Sequence, residues 1–177
     1  MEDQKEFLSE QLGDKYKEII NHAIKVSDSF IEKNKDLLAA RLRDVFYRDC
    51  HGDLHSRNIF LLPAPVPFDC IEFNDDFRQI DVLNEVAFLC MDLDAFDRKD
   101  LSDLFIEDYN LSFPAIKTNE DHRLFIYYKS YRANIRAKVN SLRAKSARTN
   151  EERTFALATA KKYLYLMEGY LKELEMV

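Results

Sequence analysis

The sequence predicts a mainly α-helical fold with one small β-hairpin region. Apolar residues recur at three-to-four spacing along most of the chain, only 3 Gly and 4 Pro occur in 177 residues, and β-prone runs are confined to one stretch. An all-β fold of this length would need many more turn residues. With 46% apolar and 12% aromatic residues there is material for a real core, and a single domain over residues 1–177 is expected.

Glu2 to Leu12 reads as a short helix ended by Gly13, and Asp14 then caps a second helix to about Lys33. Tyr16, Ile19, Ile20, Ala23, Ile24 and Phe30 give that helix one buried face. Helical spacing continues from Asn34 to Phe46 through Leu37, Leu38, Leu42 and Val45. Between Val45 and Phe73 the pattern changes to short apolar runs broken by Pro63, Pro65 and Pro67, the strand-like region. Asn74 to Gln79 reads as a loop. Asp81 to Ala95 is helical with Val82, Val86, Leu89 and Leu93 on one face, and Lys99 to Tyr109 forms another helix before Pro114. Asn119 is the expected cap of a long helix to about Ala147, and Asn150 of the last, from Glu151 to about Leu174.

No apolar run approaches the ~20 residues of a membrane span, and the start Met1-Glu2-Asp3-Gln4-Lys5 lacks the order of a signal peptide, so a cytoplasmic protein with no membrane partner is expected. Cys50, Cys70 and Cys90 are odd in number with no C-x-x-C pair, which indicates neither a disulfide framework nor a structural zinc site; each is expected to be buried. The net charge of −6 is unevenly spread. Eight basic residues and no acid lie between Arg123 and Arg148, so 18 basic residues face all 32 acids elsewhere. This polarity suggests a local anionic ligand or an acidic partner surface and not nucleic acid. Lys129, Arg132, Arg136 and Arg143 share a helix face and are the candidate anion surface, with a solvated face as the plainer reading. The tyrosines of the last two helices are expected to pack and not to stack on bases.

His51-Gly52-Asp53-Leu54-His55-Ser56-Arg57-Asn58 has the H-x-D-L-x-x-x-N spacing of a phosphotransferase catalytic loop. Such chemistry needs a carboxylate to accept the proton of an acceptor hydroxyl, plus an amide oxygen and a second carboxylate to hold magnesium. Asn58 follows Asp53 by five residues, and a hairpin over Ile59 to Phe68 would return Asp69 to the side of Asn58. His51 and His55 around Asp53 also permit a metallohydrolase reading with zinc or iron, although the remaining imidazoles, His22 and His122, lie in no paired motif.

These residues, with Phe68-Asp69-Cys70-Ile71-Glu72-Phe73-Asn74, Ile80-Asp81-Val82, Ala87-Phe88-Leu89, Tyr131-Arg132-Ala133 and Arg136-Ala137-Lys138-Val139, look like the aminoglycoside phosphotransferase-related small-molecule kinases, which have a protein-kinase-like fold. The resemblance covers about Asp36 to Tyr170 and implies the C-terminal lobe of that fold. It implies ATP and Mg2+ as cofactors. Asp53 would be the catalytic base with His51 supporting the loop, and Asn58 and Asp69 the magnesium and nucleotide ligands. Cys70-Ile71 stands where protein kinases have Phe-Gly, and Glu72 would share the metal-binding role. Asp81 would accept hydrogen bonds from catalytic-loop N–H groups as structural support.

Only about 50 residues precede His51; they read as helices, with no Gly-rich loop and no strand-borne lysine. The N-terminal nucleotide lobe is therefore expected to be absent, and the chain alone to bind nucleotide poorly and turn over little ATP. Two functions follow as expectations. One is a kinase-like lobe that transfers the γ-phosphate to a small-molecule hydroxyl and is completed by a missing lobe or partner chain. The other is a catalytically silent binding or interaction module derived from that lobe.

Overall fold

Threonine, and not the asparagine after it, opens both long C-terminal helices. In Thr118-Asn119-Glu120-Asp121 the Thr118 Oγ1 accepts from the Asp121 N–H, and Asp121 Oδ2 accepts from the Thr118 N–H, each at 3.1 Å. This is a reciprocal capping box. Thr149-Asn150-Glu151-Glu152 repeats the pattern, and Thr149 Oγ1 accepts from the Glu152 N–H at 3.1 Å. The expected caps, Asn119 and Asn150, are each displaced by one residue.

The computed structural model describes residues 2–176, with side chains from residue 5 onward. Its elements run α1 (Glu2–Leu12), α2 (Asp14–Lys33), α3 (Lys35–Arg43), β1 (Tyr47–Asp49), β2 (Ile59–Phe60), β3 (Val66–Pro67), β4 (Gln79–Asp81), α4 (Val82–Ala95), α5 (Lys99–Ser112), α6 (Asn119–Ser146) and α7 (Asn150–Met176), with single 3-10 turns at Ser56–Asn58 and Asp75–Phe77. The fold is thus mainly helical with small antiparallel sheets. No helix among the described residues is long and apolar enough to cross a membrane.

The described residues group into two compact units. One runs through Lys33 and resumes at Ser130, so it holds α1, α2, α7 and the larger part of α6. Gly13 joins α1 to α2 at φ +100, and a Cβ there would meet nothing within 4 Å, so the backbone conformation alone asks for glycine. Leu8, Tyr16, Ile19, Ile20 and Phe30 are buried there, as are Ala133, Ala137, Ala156, Ala160, Leu164, Met167 and Leu171.

The other unit is Asn34–Lys129. Its α3 stops at Arg43, short of the expected Phe46, because Val45 turns left-handed at φ 65 and the Phe46 N–H bonds back to the Arg41 carbonyl at 3.1 Å. That is a Schellman ending with a β-branched residue where glycine is usual. β1 and β4 pair antiparallel with Tyr47 opposite Asp81, and β2 and β3 pair with Ile59 opposite Pro67. β4 lies partly in the stretch that reads as a loop; three residues cannot display an alternating pattern, and their partner strand lies far back in sequence. α4 is the centre of the unit. It is buried on nearly every side, through Val82, Leu83, Val86, Ala87, Phe88, Leu89, Cys90 and Met91, and not along one stripe. Of the cysteines only Cys90 is fully buried, which pushes its thiol up to about 12; Cys50 and Cys70 are half-buried.

Candidate functional site

The turn from His51 to Asn58 is held from below by two carboxylates of α4. Glu85 accepts the His51 N–H through Oε1 at 2.9 Å and the Gly52 N–H through Oε2 at 3.1 Å. Asp92, two helical turns further on the same face, accepts the Ser56 N–H at 2.9 Å and the Ser56 hydroxyl at 2.6 Å. One acid therefore fixes the start of the loop and the other its end. Sequence reading missed both. Their signal was two acids seven residues apart, on one face of a helix that is mostly apolar.

Asp81 is buried, 1% exposed, yet it does not hold the loop. Its oxygens take Arg41 Nε at 2.5 Å, Arg41 Nη2 at 2.9 Å and the Leu83 N–H at 2.8 Å, so it caps α4 and closes an ion pair. The hydrogen bonds that Asp81 was expected to accept from the N–H groups near His51 are accepted by Glu85 instead. The physical reason is one turn of helix: Asp81 sits at the start of α4 beside Arg41, and Glu85 lies under the loop. Burial pulls the Arg41 guanidinium down in pKa, but the hydrogen bonds and charge of Asp81, then of Asp121, outweigh it and leave it raised.

Gly52 is a place where glycine is required. Its φ is +83, and a Cβ there would meet the Phe77 carbonyl oxygen at 2.9 Å and Ile71 Cδ1 at 3.1 Å. Gly52→Ala is expected to cost roughly 1–3 kcal/mol through left-handed strain and overpacking, checked by denaturant unfolding against the parent.

His51 stitches the loop to the segment that carries Asp69. Its Nδ1 accepts the Asp53 N–H at 3.3 Å, so its Nε2 carries the proton and donates to the Phe68 carbonyl at 2.8 Å. Its own carbonyl accepts the Ile71 N–H at 3.1 Å. The Asn58 carbonyl accepts the Phe68 N–H at 2.9 Å, one step beyond the β2–β3 pairing. Asp69 is thereby pinned between bonded residues on either side; it is exposed and left-handed at φ 62, which an aspartate tolerates.

The Asn58 amide is buried and oriented. Nδ2 donates to the Asp53 carbonyl at 3.0 Å and to Asp53 Oδ2 at 3.2 Å, which leaves Oδ1 as the atom suited to a cation. His55 accepts the Arg57 N–H through Nδ1 at 3.2 Å and turns Nε2 toward Asp53 Oδ2 at 3.5 Å, its ring packed edge-on against Phe88 at 5.5 Å. The Asp53 side chain is 41% exposed above these donors. His51 uses both ring nitrogens inside the protein and His55 uses Nδ1, with its Nε2 beside Asp53, which disfavours the His51–Asp53–His55 metallohydrolase arrangement. Among the described residues no three His, Cys, Asp or Glu side chains are grouped to hold a metal. Asn58 Oδ1 and the exposed carboxylates of Asp69 and Glu72 are the oxygen atoms of this segment that could hold a hard cation.

The basic face expected on α6 is not a solvated one. Lys129, Arg132 and Arg136 are buried and only Arg143 is exposed. Lys129 is closed by Asp94 at 2.7 Å. Long aliphatic stems let α6 bury these residues together with its apolar ones.

No family model matches this chain, and no solved structure matches it. It is similar to the uncharacterized protein Rv2004c of Mycobacterium tuberculosis strain H37Rv, with 34% identity over 129 residues, which is 71% of this chain and 25% of the relative. The uncharacterized proteins MT2060 of M. tuberculosis strain CDC 1551 and Mb2027c of Mycobacterium bovis match with the same identity and coverage. The chain spans about a quarter of the length of these curated relatives.

Proposed function

We propose that the Asn34–Lys129 unit carries the catalytic loop of a small-molecule phosphotransferase of the aminoglycoside phosphotransferase-like kind, the C-terminal-lobe half of a kinase-like fold. The observation that carries this reading is the joining of Asp53, Asn58 and the Asp69 segment. Asn58 turns its amide nitrogen onto Asp53 while its backbone pairs with the residue before Asp69.

Asn58 Oδ1 and the Asp69 carboxylate, with Glu72 in support, would hold a magnesium–nucleotide complex, which would supply the γ-phosphoryl group and neutralise its charge. Asp53 accepts the proton of the acceptor hydroxyl as that oxygen bonds to the phosphorus and the nucleoside diphosphate leaves. His55 and Asn58 keep the Asp53 carboxylate facing the acceptor. His51 locks the loop to the Asp69 segment and touches neither substrate.

Phosphoryl transfer from ATP to hydroxyl-bearing acceptors tests the reading. Asp53→Asn is expected to lower the rate at least ~100-fold while nucleotide affinity holds within about threefold, because only proton acceptance is lost. Asp69→Ala is expected to remove the magnesium-dependent part of nucleotide binding. An Asp53→Asn protein that transfers phosphate as fast as the parent would contradict the assignment. Nucleotide binding that Asp69→Ala leaves unchanged would favour the silent binding module.

A further inference from the structure

Two tyrosines of α2 and α7 share one hydrogen bond on unequal terms. Tyr16 is buried, and its hydroxyl donates to the Tyr165 hydroxyl at 2.9 Å. Tyr165 is 39% exposed, its ring tilted against that of Tyr16 with centroids 5.7 Å apart. A phenol that accepts through its oxygen is eased toward the phenolate, whereas the one that donates keeps its proton. Burial pushes Tyr16 up to about 12, so it stays the donor. Its hydrogen bond, with the charges of Lys15 and Lys161, holds Tyr165 below the usual tyrosine range.

Both ammonium groups sit against this pair. Lys15 of α2 lies 4.9 Å from the centroid of the Tyr165 ring. Lys161, one turn before Tyr165 on α7, lies 5.9 Å from that centroid and 6.0 Å from the Tyr16 centroid. All four residues belong to one compact unit, and Lys15, Lys161 and Tyr165 are exposed, so a reagent reaches them from solvent. An open phenol oxygen with a donor behind it and two cations beside it has the surroundings of an activated nucleophile. The same cations would draw in a negatively charged donor and pair with the anionic group left on the oxygen.

We propose that Tyr165 is a nucleophilic tyrosine and a covalent modification site for an anionic electrophile, a phosphoryl donor being the class that its two ammonium neighbours fit. The Tyr165 oxygen forms the bond to phosphorus, the bond from phosphorus to the leaving oxygen breaks with its electron pair going to that oxygen, and the phenol proton passes to water. The inference is independent of the phosphotransferase reading, since it concerns the other unit and is tested without nucleotide or magnesium.

The whole protein is treated with a carboxylate-bearing benzenesulfonyl fluoride and, in a separate series, with neutral benzenesulfonyl fluoride, and the labelled residues are followed in time by peptide mass spectrometry. In each labelling an oxygen–sulfur bond replaces the sulfur–fluorine bond and fluoride leaves. Tyr131 of α6 in the same unit is 43% exposed, so exposure alone would label both tyrosines alike. Tyr165 is expected to react at least ~10-fold faster than Tyr131, and faster with the anionic reagent than with the neutral one. Tyr16→Phe, and separately Lys15→Gln with Lys161→Gln, are each expected to slow Tyr165 by about threefold or more. If a variant does not fold, the ratio of Tyr165 to Tyr131 in the parent still decides. Labelling of Tyr165 no faster than of Tyr131, no preference for the anionic reagent, or label on Lys15 or Lys161 in place of Tyr165 would overturn the proposal. A Tyr165 rate that folded variants leave unchanged would overturn it as well.

Discussion

Replacing Arg41 by alanine is expected to destabilise the Asn34–Lys129 unit by roughly 3–5 kcal/mol, the range for breaking a buried ion pair from one side. The guanidinium answers Asp81 twice, Asp121 at 2.7 Å and the Ala115 carbonyl at 2.9 Å, all in buried surroundings. Its removal strands two carboxylates, one of which caps α4 and the other of which closes the capping box of α6. Arg98→Ala breaks an exposed, solvent-screened pair with Asp100 and is expected to cost far less. Denaturant unfolding of the two variants measures the contrast. Equal losses would mean that the Arg41 network adds no more than a surface pair.

Glu85→Ala is expected to cost roughly 2–5 kcal/mol, because the His51 and Gly52 N–H groups each lose a charged acceptor beneath the loop. Glu85→Gln is expected to recover only part of this, since its amide nitrogen faces a donor. Amide hydrogen exchange gives the local reading: Glu85→Ala should speed exchange at His51 and Gly52 far more than Asp81→Ala does. The reverse order would return the supporting role to Asp81.

Apart from α4, which is buried on nearly every side, the helices were legible because their apolar residues follow a 3.6-residue period that sequence displays directly. Both C-terminal caps were legible too, in Thr-x-x-Asp and Thr-x-x-Glu, but the asparagine inside each motif drew the assignment one residue late. The β2–β3 hairpin and the loop were visible in fixed spacing. β4 was not, since its three residues are defined by pairing with β1 and by nothing local. The supports of the loop were hidden for a related reason. Asp81 and Glu85 differ by a single helical turn, and which of them meets His51 depends on how α4 lies beneath the loop. The burial of Lys129, Arg132 and Arg136 was likewise outside what charge spacing tells, because a helix wheel shows which residues share a face but not whether that face is covered.

The central claim is that Asp53, Asn58 and Asp69 form one metal–phosphate site, and manganese carrying ATP tests it most directly. Manganese takes the oxygen ligands of magnesium and broadens nearby NMR signals even when binding is weak. With Mn2+ and ATP together, amide signals of residues 53–58 and 68–71 are expected to broaden first, and Asp69→Ala to abolish the effect. Broadening that begins instead at the exposed acids Asp97, Asp100 and Asp103, or that is indifferent to Asp69→Ala, would contradict the account.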